Sequence, residues 1–378
     1  MGWIKKASFI LIGAGSTAVA CILVLELVFG NWLWNDGWWA TRNLNIVRNR
    51  RIVFDVEHLY GKAKPISVYT RDRYGLRGDC HRPDQIQIIT LGGSTTDQRY
   101  ITDGETFQDA LEQQLSQQGK RKICVANAGV DGHSTFGHLA SLERWLPLIP
   151  DVRPKFFLLY IGINDAGFRL KPRKGYDVQR DSNILLHIIA QNSAIYALGG
   201  AIKNSVDNYF DNRKYSRHAI SRPSPDRYTS DSPSKGVEPL VRENGRGFAD
   251  RLNKIVVEIG KKYGAKVICV SQPHLFVMER NGKLYGLAEA FQYEGKFYNG
   301  LDYQMSLEEI NRIMRMLCTR ENVYFIDLAK KSFSAEDFYD LVHLSPKGAK
   351  TIARYLFQEM ERQGITKELL VTLSNSPN

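Results

Sequence analysis

Apolar runs and amphipathic segments alternate along the chain from residue 85 onward. Five short runs have the dense apolar and β-branched character of strands, at residues 85–91, 122–126, 155–161, 266–271 and 323–327. Apolar side chains also recur at the spacing of one helix face, over residues 106–118, 135–148, 247–263, 306–319 and 345–363. This alternation predicts an α/β fold, a three-layer α/β/α sandwich around a mainly parallel, flavodoxin-like sheet of five strands.

The N-terminal segment has a different pattern. Residues 7–30 are almost wholly apolar, with Glu26 as their one charge. At about 1.5 Å per residue this stretch would reach about 36 Å, enough to cross a bilayer core of about 30 Å. Two lysines precede it and four tryptophans follow it, as interfacial anchors do. The pattern predicts one transmembrane helix that acts as a signal anchor. A cleaved signal peptide, a lipoprotein signal ending at Cys21 and a buried soluble helix are the alternatives.

The charges beside this segment give conflicting signals about its orientation. The two lysines before it favour a cytoplasmic N-terminus, whereas four arginines within residues 42–51 favour the opposite. Long domains are translocated largely regardless of such charges. We therefore expect a single-pass membrane protein whose large C-terminal domain is extracytoplasmic.

The remaining segments complete the predicted organisation. Residues 31–84 are expected to be a connecting region, and residues 85–364 the main domain. An insertion at about 168–245 interrupts the strand–helix alternation. It contains an apolar helix candidate at 184–202 and, at 213–240, a stretch rich in Ser, Pro and charge that predicts a mobile loop. Residues 365–378 are expected to be a C-terminal tail.

Composition excludes some classes of protein and leaves others open. Of the 378 residues, 43% are hydrophobic and 24% are charged, which is typical of a globular chain. The net charge of +11 fits either a solvated basic surface or attraction to an anionic lipid or polysaccharide. No zinc spacing, RNP-like motif or long basic block is present, so we expect no nucleic-acid partner. The five scattered cysteines predict neither a disulfide framework nor a metal site.

Candidate chemistry follows the predicted strands. Ser94 comes after Leu-Gly-Gly, Gly132 lies in the loop after the second strand, and Asn164 follows the third. Asp340 and His343 precede the last helix. Ligands of parallel sheets bind at the carboxyl ends of the strands, where these residues are expected to meet. Taken singly, each motif is weak, since a Gly-Gly-Ser turn, a strand-to-helix loop, an Asn-Asp turn or a surface Asp/His pair is common without chemistry.

Taken together, the motifs are more specific. Their order, Gly-x-Ser, Gly, Gly-x-Asn-Asp and Asp-x-x-His, resembles the SGNH hydrolases, or GDSL-like lipases and esterases, over residues 85–364. The resemblance implies a serine carboxylic-ester hydrolase that needs no metal ion or organic cofactor. It implies that Ser94 is the nucleophile and that Asp340 and His343 complete a catalytic triad. The first block reads Gly-Gly-Ser-Thr here rather than Gly-Asp-Ser.

The resemblance also implies an oxyanion hole. Its donors would be the backbone N–H groups of Ser94 and Gly132 and the side-chain amide of Asn164. Other polar residues lie next to these motifs or after the fourth strand, and we expect them to line the cleft: His133, Asp165 and His274. His133 and His274 are also weaker alternatives to His343 as the base.

The expected substrate is an acyl ester on a cell-surface glycan or lipid, because a membrane anchor would hold the site near such molecules. An O-acyltransferase that uses the same Ser-His-Asp site is one alternative. A non-catalytic glycan-binding or assembly protein on the same scaffold is another, and the complete motif set argues against it. The sequence makes no prediction about oligomeric state.

Overall fold

The structure, a computed structural model, describes most of the chain. The described residues are 2–30, 32, 37–38, 41, 44–80, 82–173, 175–177, 193–196, 198–199, 202, 214–215 and 223–374. They divide into two compact units. The smaller consists of residues 1–43 and 180–212, and the larger of residues 44–179 and 213–378.

The larger unit contains all the described strands. In chain order they are β1 (Arg50–Asp55), β2 (Ile66–Arg71), β3 (Ile86–Gly92), β4 (Cys124–Gly129), β5 (Phe156–Tyr160), β6 (Lys214–Tyr215), β7 (Tyr228–Ser230), β8 (Lys266–Val270), β9 (Val277–Arg280), β10 (Lys283–Leu287), β11 (Phe291–Tyr293), β12 (Lys296–Tyr298) and β13 (Tyr324–Ile326).

Five of these strands form one parallel sheet, in the order β4-β3-β5-β8-β13. Numbered along the chain, this is the 2-1-3-4-5 order of flavodoxin-like sheets, whose switch point lies between the first and third strands. The register sets Gly92 beside Gly129 on one side and Tyr160 on the other, so the three strands end along one edge. The predicted five-stranded parallel sheet is confirmed.

Helices cover both faces of this sheet. The described helices are α1 (Gly2–Phe29), α2 (Glu57–Tyr60), α3 (Ser94–Asp97), α4 (Phe107–Gly119), α5 (Thr135–Arg144), α6 (Glu238–Tyr263), α7 (Gly300–Arg320), α8 (Pro346–Arg362) and α9 (Ile365–Ser374). Helices α4 and α8 pack together over the sheet face that carries Ile88 and Leu158. On the opposite face α5, α6 and α7 pack together, and Phe157 meets Tyr263 of α6. The three-layer prediction therefore holds.

Local signals set the start of the last core helix as predicted. The side chain of Ser345 accepts a hydrogen bond from the backbone N–H of Gly348, and Pro346 opens α8. Proline is favoured at this position because the first N–H groups of a helix have no intrahelical acceptor.

Strands β1 and β2 correct the prediction that residues 31–84 only connect two parts of the chain. They pair antiparallel, with Arg50 opposite Arg71 and Asp55 opposite Ile66. Side chains of this hairpin join others of the main domain in one buried cluster: Phe54, Val56, Tyr69, Tyr100 and Tyr339. The hairpin is therefore an integral part of the larger unit.

Two further predictions need correction. The mobile loop predicted at 213–240 is wrong for residues 223–240, because Tyr228 and Val237 are buried and α6 already begins at Glu238. The predicted tail contains helix α9, whose Ile365 and Leu369 complete the core beneath α4 and α8. Most of the helix candidate at 184–202 lies outside the described residues.

The cysteines also differ from the prediction. A disulfide joins Cys80 to Cys124, 44 residues apart, and ties the segment before β3 to the start of β4. A carboxylate oxygen of Glu112 lies within 4.8 Å of both sulfur atoms. Sulfur atoms bonded to each other offer no thiolate to a metal ion. An odd number of scattered cysteines gave no signal for this pairing.

The smaller unit contains α1 and part of residues 180–212. The Glu26 carboxylate of α1 accepts hydrogen bonds from the hydroxyl of Ser193 and from the backbone N–H groups of Ala194 and Ile195. No helix among the described residues is both long enough and apolar enough to cross a membrane. The transmembrane helix predicted from residues 7–30 is not confirmed.

Candidate active site

Ser94 occupies the first position of α3, directly after β3 and two glycines. The glycines are needed because neighbouring loops come very close to the backbone here. A Cβ atom on Gly93 would overlap Asn164 Nδ2 and lie 2.9 Å from the carbonyl oxygen of His133. The chain thus turns sharply at the edge of the sheet and brings Ser94 beside the loops that follow β4 and β5.

Ser94, His343 and Asp340 form a continuous hydrogen-bonded chain. The Nε2 atom of His343 lies 2.7 Å from the Oγ atom of Ser94, and its Nδ1 atom lies 2.7 Å from Oδ2 of Asp340. A carboxylate can only accept, so we place the ring proton on Nδ1. Nε2 is then unprotonated and accepts a hydrogen bond from the hydroxyl of Ser94.

The backbone fixes the Asp340 side of this chain. Its Oδ1 atom accepts hydrogen bonds from the backbone N–H groups of Val342, at 2.9 Å, and His343, at 2.7 Å. This Asx-type turn leaves Oδ2 for the imidazole. The spacing of Asp340 and His343 in the sequence therefore suffices to set their geometry.

Charge and burial act against each other in this pair. Burial disfavours the protonated imidazole, but the Asp340 carboxylate outweighs this and raises the pKa of His343 above its usual value. Burial also opposes ionisation of Asp340, and the charge and hydrogen bond of His343 nevertheless lower the pKa of that carboxyl. The site therefore stabilises the protonated imidazole that proton transfer from Ser94 would create.

Tyr339 supports the imidazole from one face. Its ring stacks on that of His343, with centroids 5.4 Å apart and planes 5° from parallel. Its backbone N–H donates to the His343 carbonyl oxygen at 2.9 Å. Tyr100 and Tyr60 pack edge-on against Tyr339. No sequence motif pointed to this aromatic support.

The three predicted oxyanion donors lie in loops that meet at Ser94. The amide of Asn164 donates one N–H to the carbonyl oxygen of His133 at 2.8 Å, which leaves its second N–H for a ligand. Gly132 has a φ of +78°, a conformation that favours glycine. The Ser94 N–H stands at the start of a helix, where no intrahelical acceptor exists.

Two of the three predicted cleft residues are placed elsewhere. His133 is only 1% exposed; its Nε2 atom hydrogen-bonds the carbonyl oxygen of Leu44 at 2.7 Å, and burial lowers its pKa. Asp165 is fully buried, and its carboxylate accepts from the hydroxyl of Thr135 and from Arg251. Both predictions are wrong, because these side chains point into the interior and pair there.

His274 lines a cavity of about 270 Å³ together with Gln272, Leu307 and Phe338. Its Nδ1 atom accepts from the backbone N–H of Phe276 at 3.1 Å, and burial lowers its pKa to about 4. An imidazole that is neutral over the whole physiological range and bonded in this way is a poor rival to His343 as a base.

Sequence reasoning missed two residues that hold the loops of the site. Gln272 donates to the hydroxyl of Thr95 at 2.8 Å and accepts from the backbone N–H of Ile163 at 2.7 Å, so it joins the serine turn to the asparagine loop. Tyr176, at the start of the long insertion, packs its ring against Gly132. Neither belongs to a recognisable motif.

Comparisons with known proteins found a family model and several solved structures that are similar to the chain. Residues 90–351 match the model of the GDSL-like lipase/acylhydrolase family. No curated protein matches the chain. One similar solved structure is a lipase/acylhydrolase from Enterococcus faecalis, with 16% identity, a TM-score of 0.40, and coverage of 74% of this chain and 97% of that one. Another is Axe2, an acetylxylan esterase from Geobacillus stearothermophilus, with 14% identity, a TM-score of 0.40, and coverage of 73% and 94%.

Proposed function

Since the chain belongs to the GDSL-like lipase/acylhydrolase family and is an ester-bond hydrolase, we propose that Ser94 is its nucleophile, with His343 and Asp340 as partners. The observation that carries this proposal is the unbroken chain from Ser94 Oγ through the imidazole to Asp340, with both links at 2.7 Å. Nucleophile and base lie within hydrogen-bond reach, and a third group orients the base.

The first half of the reaction transfers the acyl group to the enzyme. Ser94 Oγ attacks the ester carbonyl carbon while Nε2 of His343 takes the hydroxyl proton, and the carbonyl oxygen becomes an oxyanion. The imidazolium then gives this proton to the leaving alcohol as the carbon–oxygen bond breaks. Ser94 is left as an acyl ester, and Asp340 stabilises the transient imidazolium.

The second half releases the acyl group. Water attacks the acyl-serine, His343 takes its proton, and the proton returns to Ser94 Oγ when the bond to the acyl carbon breaks. In both halves the oxyanion is held by the N–H groups of Ser94 and Gly132 and by the second amide N–H of Asn164. Each such donor typically contributes about 2.7–4 kcal/mol to the barrier reduction.

The proposed substrate is a carboxylic ester on a cell-surface glycan or lipid. Two features support this class. Residues 7–30 contain a single charge, and so apolar a stretch favours contact with a membrane. The net charge of +11 favours anionic surfaces, such as a lipid headgroup layer or an acidic polysaccharide.

In the same proposal the protein is single-pass, with its catalytic domain outside the cytoplasm. The Cys80–Cys124 disulfide supports that location, because such bonds persist mainly in oxidising compartments. A reporter fused after residue 378 tests it, since an enzyme reporter that folds only outside the cytoplasm should be active. Activity of a cytoplasm-only reporter at the same position would contradict it.

The catalytic proposal is tested by release of p-nitrophenol from acetyl and longer-chain esters by the full-length protein in detergent. Ser94→Ala should abolish turnover and labelling by a fluorophosphonate probe, because both need the activated hydroxyl. Ser332→Ala, which changes an exposed serine in a loop, is the matched control and should behave as wild type. If wild type and Ser94→Ala are equally inert and unlabelled, the non-catalytic alternative replaces this proposal.

The same assay separates hydrolysis from acyl transfer. The acyl-serine accepts any hydroxyl that reaches it, so an added glycan acceptor should appear as an acylated product only if the protein is a transferase. Mass spectrometry of the glycan gives the answer. Unchanged glycan with continued release of free acid supports the hydrolase.

A further inference from the structure

A buried charge lies directly beneath the catalytic serine. Helix α3 is only four residues long and runs from Ser94 to Asp97, whose carboxylate is 1% exposed. An ionised carboxylate in the interior needs charged partners and hydrogen bonds. Burial alone would raise the pKa of Asp97, but the charges of Arg71 and Arg99 bring it below its usual range.

Arg71 is the main partner of this carboxylate, and it is itself 3% exposed. A guanidinium has five N–H donors, and each finds an acceptor here. Nε donates to the hydroxyl of Tyr69 at 2.8 Å. The four remaining N–H groups reach the carbonyl oxygens of Gly75 at 2.9 Å, Asn127 at 3.0 Å and Gly129 at 2.6 Å, and the Asp97 carboxylate.

Three of these acceptors, on Asp97, Asn127 and Gly129, belong to the two segments that must cooperate in the reaction. Asp97 ends the helix that Ser94 begins, and Gly129 is the last residue of β4, which leads into the loop of Gly132. The two backbones touch, since a Cβ atom on Gly129 would lie 2.7 Å from the carbonyl carbon of Thr96. One guanidinium therefore holds the nucleophile helix and the start of the oxyanion loop against each other.

We propose that Arg71 is a positioning residue that sets the placement of Ser94 relative to the Gly132 N–H. This inference rests on the proposed function of Ser94. Arg71 lies in the β1–β2 hairpin, before residue 90, where the match to the family begins. The hairpin is thus a working part of the active site that the family-matched segment does not contain.

Lysine is the informative replacement, because it keeps the positive charge but has three donors on a single nitrogen atom. Arg71→Lys can stay paired with Asp97 while it loses the fork that spans Asp97 and Gly129. The matched control is Leu356→Ala in α8, a fully buried residue in the core beneath the sheet, away from the site. We expect it to lower stability, because it removes a buried side chain, and Leu356 belongs to neither segment.

The experiment measures kcat, KM, the rate of fluorophosphonate labelling and Tm for full-length wild type, Arg71→Lys and Leu356→Ala. A displacement on the order of 1 Å can cost about 100-fold in rate. We expect Arg71→Lys to lower kcat and the labelling rate by roughly 10- to 100-fold, with KM within about threefold of wild type. Leu356→Ala should lose Tm but keep kcat at temperatures well below its Tm.

The outcomes are distinguishable. If wild type is active and Arg71→Lys keeps its kcat at temperatures well below its Tm, as Leu356→Ala is expected to do, Arg71 is merely structural and the inference is overturned. Should Arg71→Lys not fold, Asp97→Asn removes the ion pair between Arg71 and Asp97 from the other side. A lower kcat of Asp97→Asn at unchanged KM supports the inference, and an unchanged kcat overturns it. If wild type neither turns over esters nor labels at Ser94, the proposed function fails, and the inference falls with it.

Discussion

Replacing Gly132 by alanine is the most direct test of the oxyanion loop. Two obstacles meet the new methyl group. The φ of +78° is unfavourable for alanine by about 1–2 kcal/mol. Its Cβ atom would also overlap the ring of Tyr176 and lie 3.0 Å from the Cβ atom of that residue.

The backbone of Tyr176 has little freedom to retreat. The next residue, Asp177, is fully buried, and its carboxylate accepts from the backbone N–H groups of Ser134 at 2.7 Å and Gly137 at 3.2 Å. Even if the exposed ring turns, the Cβ atom of Tyr176 stays in place, so we expect the loop that carries Gly132 to move. Displacement of its N–H from the oxyanion removes about 2.7–4 kcal/mol of transition-state stabilisation, equivalent to a fall in kcat of about 100- to 1,000-fold.

The assay compares kcat and KM for acetyl ester hydrolysis by wild type, Gly132→Ala, Tyr176→Ala and the double variant. A small substrate keeps contacts with Tyr176 itself out of the comparison. Gly132→Ala should lower kcat with little change in KM, because the donor acts on the oxyanion rather than on the bound ester. The double variant should recover at least about tenfold, since the ring no longer forces the loop aside.

Two results would refute this reasoning. Wild-type kcat in Gly132→Ala would mean that this loop supplies no oxyanion donor. A double variant no faster than Gly132→Ala would mean that backbone strain, and not the clash with Tyr176, displaces the loop.

Three further predictions concern single contacts. Asp340→Asn should lower kcat about 10³- to 10⁴-fold. His343 must be unprotonated to accept the serine proton, and Asp340 raises the pKa of His343. The acid limb of the kcat/KM profile of Asp340→Asn should therefore move to lower pH. Asn164→Ala should lower kcat about 100- to 1,000-fold with KM nearly constant in steady-state assays, and an unchanged kcat would exclude its amide from the oxyanion hole. Replacing both Cys80 and Cys124 by serine should lower the free energy of unfolding, measured with denaturant, by about 2–4 kcal/mol and leave kcat unchanged. A reductant should lower the Tm of wild type but not that of this double variant.

The sequence predicted the sheet well because burial on both faces leaves a strong signal. Strand β5, Phe156–Tyr160, is buried at every position, and the sequence shows it as an unbroken apolar run. Strand β1, Arg50–Asp55, is only partly buried and contains two arginines, so no apolar run marks it. Pattern alone therefore finds the centre of the sheet and misses the hairpin beside it.

The geometry of Asp340 and His343 was predictable for a different reason. Asp340 and His343 are three residues apart and build their own turn, so their geometry is local. The orientation of His133 is not local, since its acceptor is Leu44, 89 residues away. Asp165 likewise turns inward because Arg251, 86 residues further on, lies beneath it. A polar residue next to a motif gives the same sequence pattern whether its side chain faces the cleft or the core.

These buried contacts share one arrangement that connects stability to catalysis. A buried carboxylate lies under each of the three loops that carry Ser94, Gly132 and Asn164: Asp97 under the serine turn, Asp177 under the loop after β4, and Asp165 under the loop after β5. Each accepts hydrogen bonds from distant segments, as Asp177 does from Ser134. Buried charges add little net stability, because desolvation offsets most of their attraction, but they tolerate few alternative geometries. An apolar contact in the same place would hold the loops together in several registers, whereas a carboxylate with all its donors in place holds them in one. The separation of kcat from Tm expected for Arg71→Lys and Leu356→Ala is a direct consequence.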